Sequence, residues 1–402
     1  MLPRLRTSLD FLPSPIPDKP GLLIRDPFRF SDSTLVVPPP LVQCLTLFDG
    51  SGSTLDLREY LVRITGDVEV TGLQQHLLDA LSSAGFLEDE NFVRLKVLAE
   101  RTFADAPVRE AAHAGSGYPD DPGELTETLR EYLNGTKQPT APRSALAIAA
   151  PHVSPFGGVE SYRAAYASID PADGDRTFVI LGTSHYGRPE HFGLTRKPFV
   201  TPYGETRTDV ALVNEIAAAA GDAAVMEDYC QSVEHSIEFQ VVFLQHLFGP
   251  NIRVVPVLCG SFAQSTYEGG MPEDDEGIRR TLGALGEIAA RDGSNLLWVL
   301  GVDMAHMGQR YGDPFEATAN DGVMEDVAGR DRARISRIEQ GDAVGFWDLV
   351  RENHDDLKWC GAAPIYTFLR ALPQARGSLL HYQQWNIDPH SVVSFAGMRF
   401  HS

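Results

Sequence analysis

Three apolar runs in the C-terminal two thirds of the chain end in chemically competent side chains. They are ALAIAA before His152, TFVILG before His185, and NLLWVLG before Asp303 and His306. Each run is continuous rather than alternating, as in strands covered on both faces of a parallel sheet. A fourth run, IRVVPVLCG, has the same character. Between the runs, GVESYRAAYASI, DVALVNEIAAAAG, EHSIEFQVVFLQHLF and GIRRTLGALGEIAARD carry apolar residues at three- and four-residue spacing, which predicts helices. The alternation predicts an α/β fold with a mixed, mainly parallel sheet flanked by helices. The late segments SLLHYQQWNI and SVVSFAGMRF are β-rich and close in sequence, so they are expected to pair as an antiparallel extension.

Ahead of this pattern the periodicity is different. Residues 1–20 are interrupted by prolines and predict an arm on the surface or against a neighbour. From 21 to about 105 a candidate strand, GLLIRDPFRF, precedes candidate helices in PPLVQCLTLFDG, TLDLREYLVRITG and TGLQQHLLDALSSAGFLED, which stop at glycines. Residues 101–112 suit a linker or connecting helix. Further on, Asp121, Pro122 and Glu124 form the acidic opening that favours a helix N-terminus.

Length and composition narrow the picture. A chain of 402 residues exceeds one ordinary core, so two domains are expected, divided near 105–111. The net charge of −21 disfavours nucleic acid and anionic membrane as partners, because both need a basic footprint. Four scattered cysteines without a CxxC spacing suggest neither a disulfide framework nor a zinc knuckle. With no signal-peptide pattern and no run long enough to span a bilayer, a cytoplasmic location is expected.

The strand ends carry the chemistry. In open α/β sheets ligands collect at the carboxyl ends of strands, so imidazole and carboxylate at three such ends suggest a metal or acid–base site. His306 is the candidate for proton transfer, with Asp303 fixing its tautomer or supporting a metal. His235 and Glu238 share one face of a predicted helix, and either point into the site or satisfy loop backbone.

Eight motifs carry a resemblance. HAGSGYPDD at 113–121, PHVSPFGG at 151–158, LGTSHYG at 181–187 and TPYGETRTD at 201–209 are followed by EHSIEFQVVFLQ at 234–245, VVPVLCG at 254–260, DMAHMG at 303–308 and CGAAPIY at 360–366. From about residue 111 to the end the chain resembles the Memo family, also called AmmeMemoRadiSam system protein B. The resemblance implies a fold similar to class III extradiol dioxygenases. It also implies a metal position at His152, His185 and Cys360, with Asp303 and His306 as catalytic candidates. The chain departs from the family pattern at Thr183, Tyr186, Gly301 and Val302, and Tyr186 joins His235 and Glu238 as secondary pocket candidates. Residues 21–105 resemble PqqD-like winged-helix domains that hold peptides or partner proteins. Six basic against twelve acidic side chains in residues 21–100 argue against DNA there, and a packing module is the plainer alternative.

Two imidazoles and one thiolate leave coordination positions open, and sulfur favours softer metals, so iron(II) or copper is expected and zinc is possible. The expected function is metal-dependent redox or dioxygenase-like chemistry on an unknown small molecule or peptide. Through the resemblance, a radical SAM enzyme and an AMMECR-type protein are implied as partners. The alternative is a non-catalytic adaptor that holds a peptide or small anion in the same pocket.

Overall fold

The computed structural model describes residues 1–134 and 145–402, and divides them into two compact units, Met1–Asp105 and Ala106–Ser402. In the first unit a three-stranded antiparallel sheet, β1 (Asp10–Pro13), β2 (Leu22–Arg25) and β3 (Thr34–Val37), is followed by helices. The main helices are α1 (Thr54–Thr65), α2 (Thr71–Ser83) and α3 (Glu90–Asp105). The opening residues are not an arm. Leu2 and Leu9 are buried in this unit's core and Asp10–Pro13 pairs with β2, because apolar side chains between the prolines have a sheet to cover. The strand predicted over GLLIRDPFRF ends at Arg25, where the Asp26 carboxylate accepts from the backbone N–H groups of Phe28 and Phe30 and turns the chain. The same carboxylate pairs with buried Arg6. Residues 101–105, expected in a linker or connecting helix, are the last turn of α3.

The second unit begins with α4 (Pro122–Leu133), capped as its sequence suggests by Asp121, whose carboxylate accepts from the N–H groups of Gly123 and Glu124. Four parallel strands then form the centre of a ten-stranded sheet: β4 (Ala147–Ala150), β5 (Thr177–Thr183), β8 (Arg253–Cys259) and β9 (Leu296–Gly301). With β6 (Phe192–Leu194), β7 (Ala224–Met226), β10 (His306–Gly308), β11 (Arg376–Asp388) and β12 (Ser391–His401), the order is β7-β6-β8-β5-β9-β4-β12-β10. Off this path, β11 pairs antiparallel with β12, which makes the sheet mixed, as expected from the C-terminal segments, and the tenth strand, Arg207–Thr208, pairs with β8.

Helices cover both faces, and this is why the central strands are apolar except at their ends, where Thr177, Thr183 and Arg253 stand. One face carries α5 (Val159–Tyr166) and α7 (Glu238–Phe248), with core residues such as Tyr162, Phe243 and Leu297. The other carries α6 (Val210–Ala220), α8 (Glu276–Asp292), α9 (Val323–Glu339), α10 (Ala343–Arg351) and α11 (Ala362–Ala371) around Trp298, Trp347 and Phe368. Register then does the positioning. Gly301 of β9 lies opposite both Ala150 of β4 and Gly182 of β5, so His152, His185 and Asp303 leave the sheet at one level. Among the described residues no helix is long and apolar enough to cross a membrane.

Candidate metal centre

His152 follows β4 and is almost wholly buried. Its backbone N–H donates to Asp303 Oδ1 over 2.9 Å, and its Nδ1 lies 2.8 Å from the Gly301 carbonyl. A carbonyl only accepts, so Nδ1 carries a proton and Nε2 is the nitrogen that faces the site. That Nε2 lies 3.2 Å from Cys360 Sγ and 3.5 Å from Asp303 Oδ2. His185, two residues past β5, is oriented by a buried carboxylate. Glu234 Oε2 accepts its backbone N–H at 2.9 Å, and Oε1 meets its Nδ1 at 2.8 Å.

Glu234 also faces His235. Its Oε1 accepts the His235 backbone N–H at 3.0 Å and lies 3.2 Å from His235 Nδ1. One carboxylate therefore sets two rings, which stack with centroids 5.1 Å apart and 11° between planes. His152 stands edge-on to both, at 5.0 Å from His185 and 5.1 Å from His235. One ligand nitrogen from each of His152, His185 and His235 falls within 4.8 Å of the others. The His185 and His235 side chains are each 27% exposed against 2% for His152, so the cluster is closed on the Asp303 side and open on the other.

The helix predicted from Glu234 begins only at Glu238, and the bend before it brings Glu234 and His235 over the strand ends. Two glycines make room for that segment. A Cβ at Gly301 would sit 2.1 Å from the Ser236 carbonyl oxygen, and one at Gly182 would sit 2.5 Å from Ser236 Oγ. Ser236 Oγ in turn donates to the Thr183 carbonyl. Thr183, a departure from the family pattern, donates its hydroxyl to the Cys360 carbonyl at 2.9 Å and ties β5 to the cysteine loop.

Several expectations change here. Asp303 holds His152 rather than His306. The His306 ring instead rests on Tyr311 at 4.9 Å, and its Nδ1 lies 3.0 Å from the Met304 carbonyl and 3.1 Å from that of Lys358. Glu238 is not a pocket group. It is fully buried and accepts from Arg109, from the Tyr118 hydroxyl and from the backbone N–H groups of Ala112 and His113, which consumes its acceptor capacity. Tyr186 lies beside the site with its ring 6.2 Å from that of His185. Cys360 precedes α11 by two residues, with Gly361 as the cap.

The electrostatics suit a metal or a thiolate. Burial disfavours charge on His152, but Asp303 and the Cys360 sulfur outweigh it and raise its pKa to about 9. Burial works against the charged form of His185 too, and Glu234 overrides it, raising that pKa. His235 moves the other way: burial, joined by the two neighbouring imidazoles, lowers its pKa despite Glu234. Burial would push the Cys360 thiol up, yet His152 and His306 bring it down to about 5. In metal-free protein, iodoacetamide is therefore expected to modify Cys360 at pH 6.5 within about threefold of its rate at pH 8, where an ordinary thiol slows roughly 20-fold. Burial raises Cys44 to about 11 and Cys259 to about 12, so both stay unmodified. Peptide mass spectrometry over time reads the result, and a 20-fold slowing at Cys360 would contradict it.

Comparison with known proteins shows what the chain as a whole is similar to. The family model for Memo-like proteins matches residues 109–399. A MEMO1 family protein of Aquifex aeolicus is 27% identical over 384 residues, covering 94% of this chain and 96% of that protein, so the likeness reaches into the N-terminal unit. A MEMO1 family protein of Thermococcus kodakarensis is 31% identical over 304 residues, covering 73% of this chain and 99% of that one. A protein memo-1 homolog of Caenorhabditis elegans is 28% identical over 299 residues, 71% of this chain and 79% of its own length. Among solved structures, an uncharacterized protein of Escherichia coli K12 matches with TM-score 0.38 and 12% identity, over 63% of this chain and 98% of that one.

Proposed function

This chain belongs to the Memo-like family, and from that premise we propose that the second unit is a metal-dependent redox protein, of dioxygenase-like plan, whose site holds one transition metal ion. His152, His185 and Cys360 would hold it, with His235 able to complete or adjust the set. The observation that carries the reading is the convergence of three imidazole nitrogens within 4.8 Å, beside a sulfur 3.2 Å from His152 Nε2. Ligands on a tetrahedral ion stand about 3.3–3.6 Å apart, so the donors are near the spacing an ion requires. The mixed nitrogen and sulfur set fits iron(II), copper or zinc. When bound, iron or copper would supply one-electron chemistry with oxygen or another acceptor.

The protein's own groups divide the remaining work. Carbonyl and carboxylate partners on Nδ1 of His152 and His185 fix each ring with Nε2 aimed inward, where a bound metal would take the place of the Nε2 proton. His306 has its Nδ1 engaged by carbonyls, which leaves its Nε2 to receive or return a proton. The opening beside His185 and His235 would admit a small molecule or peptide. In this reading the protein serves a modification pathway that includes a radical SAM enzyme.

Metal analysis of anaerobically purified protein, followed by calorimetric titration with iron(II), copper(I) and zinc, tests the binding half. Cys360→Ser is expected to bind at least about 10-fold more weakly, because a hydroxyl replaces thiolate poorly. His306→Ala is expected to keep metal affinity within about threefold and to lose oxygen consumption by about 100-fold. A wild type that takes up no metal would sink the reading and leave an adaptor using the same pocket.

A further inference from the structure

Behind the cysteine loop lies a buried carboxylate that the site chemistry does not use. Asp331, in the middle of α9, has no solvent exposure. Its Oδ1 accepts the indole N–H of Trp359 at 2.7 Å, and its Oδ2 accepts the hydroxyls of Tyr382 at 2.8 Å and Ser394 at 2.6 Å. Trp359 immediately precedes Cys360. Ser394 Oγ accepts the backbone N–H of Ala305 at 2.9 Å, while the Ser394 backbone exchanges bonds with Met304 and Ala305. Through two of its three partners, Asp331 thus reaches both loops that flank the site: the one bearing Cys360 and the one bearing Asp303 and His306.

The rest of the surroundings point the same way. Arg334, one turn further along α9, lies with its guanidinium 5.2 Å from the Trp359 ring and 3.4 Å from Asp355. Asp355 Oδ2 in turn accepts the Trp359 backbone N–H at 2.8 Å. Trp359 is held at its ring and at its backbone. The two loops are laced directly as well, by His306 N–H to the Leu357 carbonyl at 2.9 Å and Gly361 N–H to the Asp303 carbonyl at 3.0 Å. All this restrains a segment in which Asn353, His354, Asp355 and Lys358 have φ between 50° and 55°. Non-glycine residues rarely stay in that region unless their surroundings hold them there.

We propose that Asp331 is a positioning residue for the metal centre, setting the placement of the Cys360 sulfur relative to His152 and His306 from behind both loops. A core needing only stability would be served by apolar residues of similar volume at these positions, since a buried carboxylate with three donors is costly to assemble. The arrangement instead joins the donors of two loops to one anion, so their relative position is fixed by hydrogen bonds with defined directions. The metal part of this inference rests on the reading of the site given above, while the placement of the sulfur does not.

The test is built on that difference. Asp331→Asn keeps the shape but offers one acceptor oxygen to three donors. Loaded with cobalt(II), it is expected to show a sulfur-to-cobalt charge-transfer band displaced or reduced to about half of the wild-type intensity. Metal-free, it is expected to change the iodoacetamide rate at Cys360 at pH 7 by about 10-fold. Trp359→Phe, which removes the indole donor while keeping an aromatic ring and guards against a variant that does not fold, is expected to move both readouts in the same direction. Asp173→Asn removes another buried carboxylate of this unit, one paired with Arg176, and serves as the control for lost stability. It is expected to leave both readouts within about twofold. If Asp331→Asn and Trp359→Phe match the wild type in band and rate, or if Asp173→Asn shifts them equally, the proposal is overturned. A wild type that takes up no cobalt sinks the metal reading alone, and the alkylation rates then decide the role of Asp331.

Discussion

His185→Ala is expected to lose transition-metal affinity by more than roughly 100-fold, and Glu234→Gln by about 10- to 100-fold, with the fold intact in both. The first removes a ligand nitrogen. The second removes none, and so is the more informative. The Glu234 carboxylate meets Nδ1 of His185 at 2.8 Å and Nδ1 of His235 at 3.2 Å, and accepts the backbone N–H groups of both residues. Burial would raise its pKa, but the two imidazoles hold it well below the usual carboxylate range, so it acts as a fixed anion at neutral pH. An amide in its place has one acceptor oxygen, and its NH2 opposes the Nδ1–H groups. The rings are then free to turn Nε2 away from the cluster. Competition titration against a chelator of known affinity measures both variants. Equal affinity in Glu234→Gln and wild type would show that packing alone orients the rings.

Glu238→Ala is expected to destabilise the second unit by about 3–5 kcal/mol, enough to consume much of a typical domain's stability. The reason is Arg109, which is fully buried and shares a charge-assisted pair with Glu238. Arg109 also donates to the carbonyls of Gln231 and Glu234, each at 2.8 Å. Removing the carboxylate leaves a guanidinium without its counter-charge and takes the Glu238 acceptor from the N–H groups of Ala112 and His113. Urea denaturation followed by tryptophan fluorescence reads the loss, and a change under about 1 kcal/mol would show that water or another group replaces the carboxylate. The acid side should show the same pair. Burial would raise the Glu238 pKa, but Arg109 and its hydrogen bonds lower it, so its contribution is present above the ordinary carboxylate pKa and fades as the pH falls below it.

The strand ends were legible because continuous apolar runs are hard to place anywhere but in a covered parallel sheet, and the side chains that follow them inherit its register. Glu234 left no such signal. EHSIEFQVVFLQ has helical spacing throughout, and the break before Glu238 comes from a packing contact with Gly182 and Gly301, which lie far off in sequence. The same contact explains why His235 joined the ring cluster while Glu238, three residues on, faced Arg109. Asp331 was hidden for a different reason. VMEDVAGRDRARISRIE is rich in charge, and although Asp331 falls on the stripe of Met324, Val327, Ile335 and Ile338, the donors that let a carboxylate turn inward there, Trp359, Tyr382 and Ser394, lie far off in sequence. In the first unit, Leu2 and Leu9 were masked by prolines that discourage regular structure locally but do not prevent burial.

Residues 152, 185, 235, 303 and 360 are strung across more than half of the chain. During synthesis, the strand carrying His152 can pair with that carrying Asp303 only after about 150 further residues have been added, and the sulfur arrives later still. Contacts of such long sequence separation form late, after their loop-closure cost has been met. A metal ion present at the ribosome thus meets no finished set of donors on a partial chain. Occupancy would report that the sheet has closed, and nascent or truncated chains ending before Cys360 would compete poorly for scarce metal.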